Sequence, residues 1–213
     1  IATSLASIGF TSLASMRAHA ARGAVDGAIV RPLAPGLVLG TFAGALLAAR
    51  LPSAALQALF VVAIGAIALS MAFDLRAAPT RNLPGPAGLA LTGATIGTVS
   101  SLVGIGGGVL TVPFLTWCNV DMHRAIGTST AVGVLIALAG TAGFVLAGWS
   151  RPTLPPMTLG YVHLPSLAAI VLASVVVAPI GAAIAHRCDA TMLKRAYACV
   201  VVAVGVAVLS GLA

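Results

Sequence analysis

The stretch that decides the fold is Gly104–Pro113, which reads GIGGGVLTVP. It lies within an uninterrupted apolar segment, Pro86–Cys118. A single helix of that length, rising about 1.5 Å per residue, would extend far beyond a hydrocarbon core of about 30 Å. Four of the five residues from Gly104 to Gly108 are glycine, and each weakens a helix by about 1 kcal/mol relative to alanine. We therefore predict that the helix breaks between Gly104 and Gly108, with one span before the break and a short span or half-helix after it.

The composition is that of an integral membrane protein. Of 213 residues, 60% are hydrophobic and 7% are charged, and the mean hydropathy is +1.12. A soluble domain typically carries about 25% charged residues, so these few charges are insufficient to cover a water-facing surface. Since one span needs roughly 20 apolar residues, we predict an all-α membrane protein with about eight transmembrane helices in the lipid bilayer.

The basic residues predict the orientation of these helices. If the chain reverses direction at the glycines, nine Lys and Arg residues fall on one side of the membrane and two, Arg50 and Arg151, on the other. Without that reversal the split becomes six against five. Cytoplasmic loops carry an excess of Lys and Arg, which favours the reversal and places the nine in the cytoplasm. These nine are Arg17, Arg22, Arg31, Arg76, Arg81, Arg124, Arg187, Lys194 and Arg195.

An internal repeat is also visible in the sequence. Gly44–Phe60 aligns without a gap on Gly181–Tyr197, and Ala2–Ser4 resembles Gly127–Ser129. The arginine in the first copy falls outside and its partner in the second copy falls inside, so the two repeats would be inverted. Inverted repeats are common in transporters, which bind substrate near the bilayer midplane between the repeats.

The repeat divides the chain into two parts of one membrane domain. Residues 86–213 form the second repeat, and residues 1–85 form the remainder of the first. The first apolar run, Ile1–Met16, is short for a span and does not begin with Met. We expect it to be a helix whose beginning is missing, so that N-terminal membrane segments precede this sequence.

The glycine-rich stretch is the strongest candidate for a binding site. Non-helical backbone inside a membrane is tolerated only where it is buried in protein or lines a cavity. N–H groups freed at the start of a half-helix, together with the helix dipole, favour an anion. Close helix packing through small residues is the alternative. The substrate-binding candidates in this stretch are Gly104, Gly106, Gly107, Gly108 and Pro113.

Hydroxyl side chains form the second candidate. Thr128 and Ser129 follow Arg124 at the start of the next apolar segment, and Thr3 and Ser4 occupy the corresponding place in the first repeat. Such hydroxyls can bind a polar substrate or simply cap a helix. We expect the Thr128 and Ser129 hydroxyls to face the glycine break, with Arg124 attracting an anion at the cytoplasmic mouth.

Several other classes of site find no support in the sequence. The chain has no Glu, and its four Asp residues lie in predicted loops. It has no paired carboxylates, metal-ligand cluster or nucleophile motif, so we predict no catalytic residue, metal or cofactor. The basic residues form no run on one face, which excludes nucleic-acid binding. A polar cluster of His123 and His163 inside the membrane would instead favour a membrane enzyme or an assembly factor.

The motifs resemble those of a known family. GIGGGVLTVPFL from Gly104, followed by HRAIGTSTAVG from His123, is similar to the sulfite exporter TauE/SafE family of bacterial permeases. ATSLASIGFTSLASMRAHAARGAVD, from Ala2, resembles the first-half counterpart of the same family. The resemblance covers essentially the whole chain. It implies that the glycines, Pro113, Thr128 and Ser129 belong to the conserved-type core.

The resemblance also implies a function. Family members move small sulfur-containing anions, such as sulfite or organosulfonates, across the bacterial cytoplasmic membrane. We therefore expect a multi-pass permease of the inner membrane that works by alternating access and is not an enzyme. A transporter or channel for another small solute remains open, as does a non-transport membrane protein. The sequence also allows a homo-oligomer.

Overall fold

The computed structural model describes residues 1–72, 82–149, 151 and 154–185, and the side chains among them except those of residues 67–72 and 175–185. The predicted loop residues Arg76 and Arg81, the loop Arg187–Arg195 and the last apolar segment, Ala196–Leu212, lie outside the described residues. The elements are α1 (Ala2–Ala20), α2 (Gly27–Ala48), α3 (Ser53–Ala72), α4 (Pro86–Val103), α5 (Gly108–Trp117), α6 (Met122–Gly148), β1 (Thr158–Leu159), β2 (Val162–His163) and α7 (Leu164–Ala185).

The fold is almost entirely helical, as predicted. Within the described residues, three helices are long and apolar enough to cross a membrane, namely α2, α4 and α6. The short strands β1 and β2 form an antiparallel hairpin directly before α7. The structure supports the membrane class, whereas the number of eight spans stays a prediction.

The chain forms two compact units. One contains residues 1–50 and 77–171, and the other contains residues 51–76 and 172–213. The second unit includes α3 and the later part of α7. The candidate site lies entirely in the first unit, which is described from here on.

The directions of four helices follow from one apolar cluster. Ile29, Leu89 and Ala125 lie near the starts of α2, α4 and α6, and they pack with Leu115, which lies near the end of α5. Helices α2, α4 and α6 therefore run parallel to one another, and α5 runs against them. The chain thus reverses direction between α4 and α5, as the charge distribution predicts.

Helices α2 and α4 pack with their backbones in contact. A Cβ atom at Gly36 or Gly40 of α2 would overlap the backbone of α4, and one at Gly97 of α4 would lie 2.8 Å from the backbone nitrogen of Thr41 in α2. Glycine every four residues places small residues on one helix face, and such faces allow close approach in membranes. The spacing Gly36, Gly40, Gly44 therefore holds these two helices together.

Helix α1 runs antiparallel to α6. A Cβ at Gly140 would lie 3.1 Å from Leu5 Cδ1, and a Cβ at Gly133 would lie 2.7 Å from Ser12 Oγ. As residue numbers rise along α1, those of its contacts on α6 fall, so the start of each helix lies beside the end of the other. This pair, together with α5, surrounds the candidate site.

Candidate functional site

The predicted break is present at the end of α4. Gly104 has φ 78° and ψ 23°, a left-handed conformation that glycine adopts readily and other residues do not. The N–H groups of Gly104 and Ile105 donate to Ser100 O at 2.8 and 3.1 Å, which closes the helix. The chain then re-enters the bundle and starts α5 at Gly108. The prediction of a break between Gly104 and Gly108 is confirmed.

Helix α5 begins level with the middle of α6. A Cβ built on Gly107 would lie 2.8 Å from Ile136 Cδ1 and 2.9 Å from Val132 Cγ1, and these residues are central in α6, which spans Met122–Gly148. Only glycine fits there without displacing its neighbours. The ten-residue helix α5 is about 15 Å long, half of a hydrocarbon core, so its N-terminus lies deep within the bundle.

The backbone N–H groups at this helix start are free. Gly107 is the N-cap and provides no side-chain hydrogen bond, and the first bond of α5 runs from Thr111 N to Gly107 O at 2.9 Å. Among the described residues, no acceptor is paired with the N–H groups of Gly106, Gly107 or Gly108. Free N–H groups and the positive end of the helix dipole make this position favourable for an anion.

A cavity of about 270 Å³ opens onto these glycines. Its lining comes from α1, the glycine break and α6, and consists of hydroxyl-bearing residues and glycines. Within the described part of the chain, no charged side chain lines it. The lining residues are Thr11, Ser12, Ser15, Gly106, Gly107, Gly108, Ser129, Thr130 and Gly133.

The hydroxyls of the cavity differ in how they are used. Ser129 Oγ donates to Ile126 O at 2.7 Å and Thr130 Oγ1 to Gly127 O at 2.6 Å, so their protons are committed to the helix backbone. The hydroxyls of Ser12 and Ser15 on α1 make no hydrogen bond with any other described residue. These two serines are therefore the hydroxyl donors most available to a bound molecule.

The structure divides the residues predicted to bind substrate. Gly106, Gly107, Gly108 and Ser129 meet at the cavity. Gly104 ends α4 and lies near Ile1, and the ring of Pro113 is exposed on α5.

Of the two hydroxyls expected to face the break, that of Ser129 lines the cavity and that of Thr128 does not. The fully buried Thr128 accepts a hydrogen bond at Oγ1 from the N–H of Asp26 at 3.0 Å. Thr3 Oγ1 accepts one from the N–H of His163 at 3.2 Å, and Ser4 is exposed. The expectation failed for Thr128 because a helix-starting hydroxyl bonds whichever backbone group tertiary packing brings to it.

Arg124 is paired rather than free. Its Nη2 lies 2.6 Å from Asp26 Oδ2, and the Asp26 side chain is only 16% exposed while that of Arg124 is 59% exposed. Asp26 also caps α2 by accepting from Ala28 N at 2.9 Å. The carboxylate therefore offsets the charge that we expected to attract an anion at this mouth.

Sequence reasoning missed the contribution of α1. Thr11, Ser12 and Ser15 stand in an otherwise apolar stretch, at positions i, i+1 and i+4. This spacing places them on one helix face, and that pattern was the available signal. Their partnership with the glycines depends on the antiparallel packing of α1 on α6, which no local pattern reveals.

A larger cavity of about 590 Å³ offers different chemistry. It lies on another side of the α1–α6 pair, and its lining includes Phe10, Leu13, Leu138 and Val145. Thr141 supplies the one hydroxyl in this lining. Such a surface suits apolar groups and gives a small polar solute almost nothing to bond with.

Comparison with known proteins agrees with the membrane fold. The sequence profile of the family described as "Sulfite exporter TauE/SafE" matches residues 1–208. The chain belongs to this family. The TauE/SafE protein is also similar to a "Probable membrane transporter protein" of Haemophilus influenzae (strain ATCC 51907 / DSM 11121 / KW20 / Rd), at 31% identity over 208 residues. That alignment covers 97% of this chain and 78% of the relative. No solved structure matches the chain. The TauE/SafE protein is accordingly a multi-pass membrane transporter.

Proposed function

We propose that this transporter moves small sulfur-containing anions, of the sulfite or organosulfonate type, across the bacterial cytoplasmic membrane. The cavity between α1, the glycine break and α6 is the substrate site. The observation that carries the proposal is the start of α5, where unpaired backbone N–H groups meet free hydroxyls in one cavity.

The chemistry of the cavity suits a small oxyanion. An anion that leaves water loses strong hydrogen bonds, and the site must replace them. Free N–H groups at Gly106–Gly108 and the hydroxyls of Ser12 and Ser15 are donors without fixed charge. A site of neutral donors holds an anion without the cost of a buried, permanently charged side chain. Such a site can also release its ligand, as a transport cycle requires.

The arrangement of helices supports alternating access by two inverted repeats. Helices α1 and α6 would occupy equivalent places in the two repeats, because each carries one of the similar triplets, Ala2–Ser4 in α1 and Gly127–Ser129 in α6. They run antiparallel, which is the relation that inverted repeats require. The cavity lies between them, and the two repeats would rock around it. The face that carries Arg22 and Arg124 is the proposed cytoplasmic face, because it belongs to the more basic side.

A transport assay with purified protein in liposomes tests the proposal. We expect saturable uptake of sulfite or a small sulfonate, and competition between the two. The double variant Ser12→Ala, Ser15→Ala removes the free hydroxyls. Each lost hydrogen bond to a charged ligand costs roughly 1.5–3 kcal/mol, so the half-saturating concentration should rise at least about tenfold.

The matched control is Ser4→Ala, which makes the same chemical change on α1 outside the cavity. It should transport like the parent protein. Saturable uptake of carboxylates alone would assign another substrate to the same fold. Wild-type kinetics in the double variant would reject this cavity as the binding site.

A further inference from the structure

Two threonines make the same hydrogen bond at two places in the fold. Thr128 Oγ1, near the start of α6, accepts from the backbone N–H of Asp26 at 3.0 Å. Thr3 Oγ1, near the start of α1, accepts from the backbone N–H of His163 at 3.2 Å. Asp26 directly precedes α2 and His163 directly precedes α7. In both cases a hydroxyl at the start of one helix holds the start of another.

The two acceptor sites are also equivalent in sequence. Continuing the ungapped alignment of Gly44–Phe60 with Gly181–Tyr197 towards the N-terminus pairs Asp26 with His163. Both side chains cap the helix that follows them. Asp26 Oδ1 accepts from the N–H two residues on at 2.9 Å, and His163 Nδ1 accepts from the N–H three residues on at 3.3 Å. The two hydrogen bonds are thus copies of one contact, made once from each repeat to the other.

The two contacts lie at opposite ends of the helix pair. Because α1 and α6 run antiparallel and Gly133 lies beside Ser12, Thr128 is level with the last turns of α1, whereas Thr3 is at its start. The two threonines are therefore separated by about 20 Å along the helix pair. The cavity lies between them, lined on α1 by residues that follow Thr3 and on α6 by residues that follow Thr128. One contact joins α6 of the second repeat to the start of α2 in the first, and the other joins α1 of the first repeat to the start of α7 in the second.

The two ends are not equally strong. At the Asp26 end, the ion pair of Arg124 with Asp26 adds a second link between the repeats. At the His163 end, Nδ1 lies 2.7 Å from Ser166 Oγ, which belongs to the same repeat. The Asp26 end therefore has two links between α6 and α2, and the His163 end has one described hydrogen bond between α1 and the start of α7.

We propose that the Thr128–Asp26 and Thr3–His163 contacts are two gates at equivalent positions in the two repeats. They open in alternation, and each controls access to the cavity from one face of the membrane. The inference rests on the proposed alternating-access function. Rocking of one repeat against the other separates one pair of helix starts while the other pair stays together. Thr3 and Thr128 are thus positioning residues that hold the repeats, and the cavity residues bind the solute.

The test measures access to the cavity from each side. In a background with Cys118, Cys188 and Cys199 replaced by alanine, a reporter Thr11→Cys in the cavity lining is labelled with a membrane-impermeant thiol reagent in vesicles of either orientation. A separate Arg22→Cys protein, modified in the exposed turn before α2, identifies the vesicles that present the Asp26 face. The quantity measured is the ratio of labelling rates from the two faces.

Thr128→Val should raise that ratio towards the Asp26 face, and Thr3→Val should shift it towards the His163 face. Losing one hydrogen bond corresponds to a shift of about two- to tenfold. Arg124→Gln, which removes only the ion pair, should shift the ratio in the same direction as Thr128→Val. Thr128→Ser and Thr3→Ser retain the hydroxyl and are the matched controls.

If the labelling ratio shifts in the same direction in both valine variants, or in neither, the gate proposal is rejected. General loosening of the fold would favour neither face and so could not produce opposite shifts. Protection of the reporter by sulfite separately tests the proposed substrate. Opposite shifts without protection would reject the substrate and retain the gates. Protection without opposite shifts would reject the gates and retain the substrate site.

Discussion

Two adjacent glycines at the start of α5 should respond to the same substitution in opposite ways. Gly107→Ala adds a methyl group 2.8 Å from Ile136 Cδ1 and 2.9 Å from Val132 Cγ1. Gly108→Ala adds one 3.7 Å from Ser129 Oγ, an ordinary contact distance. Both backbones lie in the right-handed helical region or the helix itself, so neither change strains the main chain. A difference between the two variants therefore reports on the packing of the added methyl group and not on backbone conformation.

For Gly107→Ala, overpacking of this kind costs about 1–3 kcal/mol, offset by about 0.5–1 kcal/mol from the lower flexibility of alanine in the unfolded chain. The middle of each range gives a net loss of about 1 kcal/mol. Gly108→Ala should keep or slightly raise stability through helix propensity. Its methyl group nevertheless enters the cavity beside the free N–H groups, so the half-saturating concentration for transport should rise about tenfold.

The assay pairs thermal unfolding in detergent with transport by the same preparations in liposomes. Gly107→Ala should unfold at a lower temperature than the parent, and Gly108→Ala should not. Parent-like transport by Gly108→Ala would show that solute does not approach this backbone. Parent-like stability of Gly107→Ala would refute the close packing of the break on α6.

Two further predictions concern stability, each measured as a change in unfolding temperature in detergent. Gly40→Ala should be destabilising by about 1–3 kcal/mol, because its Cβ would overlap the backbone of α4. Gly65→Ala in α3, where a Cβ meets nothing within 4 Å, should be neutral or stabilising, and equal behaviour of the two variants would contradict the α2–α4 packing. Asp121→Ala should cost about 1 kcal/mol, because Asp121 Oδ2 accepts from His123 N at 3.0 Å at the start of α6. Asp121→Asn retains an acceptor and should stay close to the parent, so a similar loss in both variants would argue against capping.

The sequence was most informative where the controlling physics is local. Glycine density predicted the break at Gly104–Gly108, because helix propensity acts residue by residue. The charge distribution predicted the reversal between α4 and α5, because cytoplasmic loops carry an excess of Lys and Arg. The sequence also identified Ser129 as a cavity residue, because Ser129 lies on α6, which a short connection joins to α5.

The side-chain partners could not be predicted in the same way. Thr128 was expected at the glycine break, yet its hydroxyl bonds to Asp26, a residue distant in sequence. Ser12 and Ser15 were overlooked, although they carry the free hydroxyls of the cavity. In each case the partner of the side chain depends on which helices pack together and on their relative position along the helix axes. That information lies in the shapes of two surfaces together and not in either segment alone.

The glycine contact between α2 and α4 has a mechanical consequence. Helices whose backbones touch at Gly36 and Gly40 cannot slide past each other without collision. Helix α2 belongs to the first repeat and α4 to the second, so the proposed rocking of the repeats has to pivot about this contact. The N-terminal end of α2 is Asp26, and the C-terminal end of α4 leads directly into Gly104. A pivot between these helices would therefore shift the Asp26 contact and the glycine loop, with its free N–H groups, in the same movement.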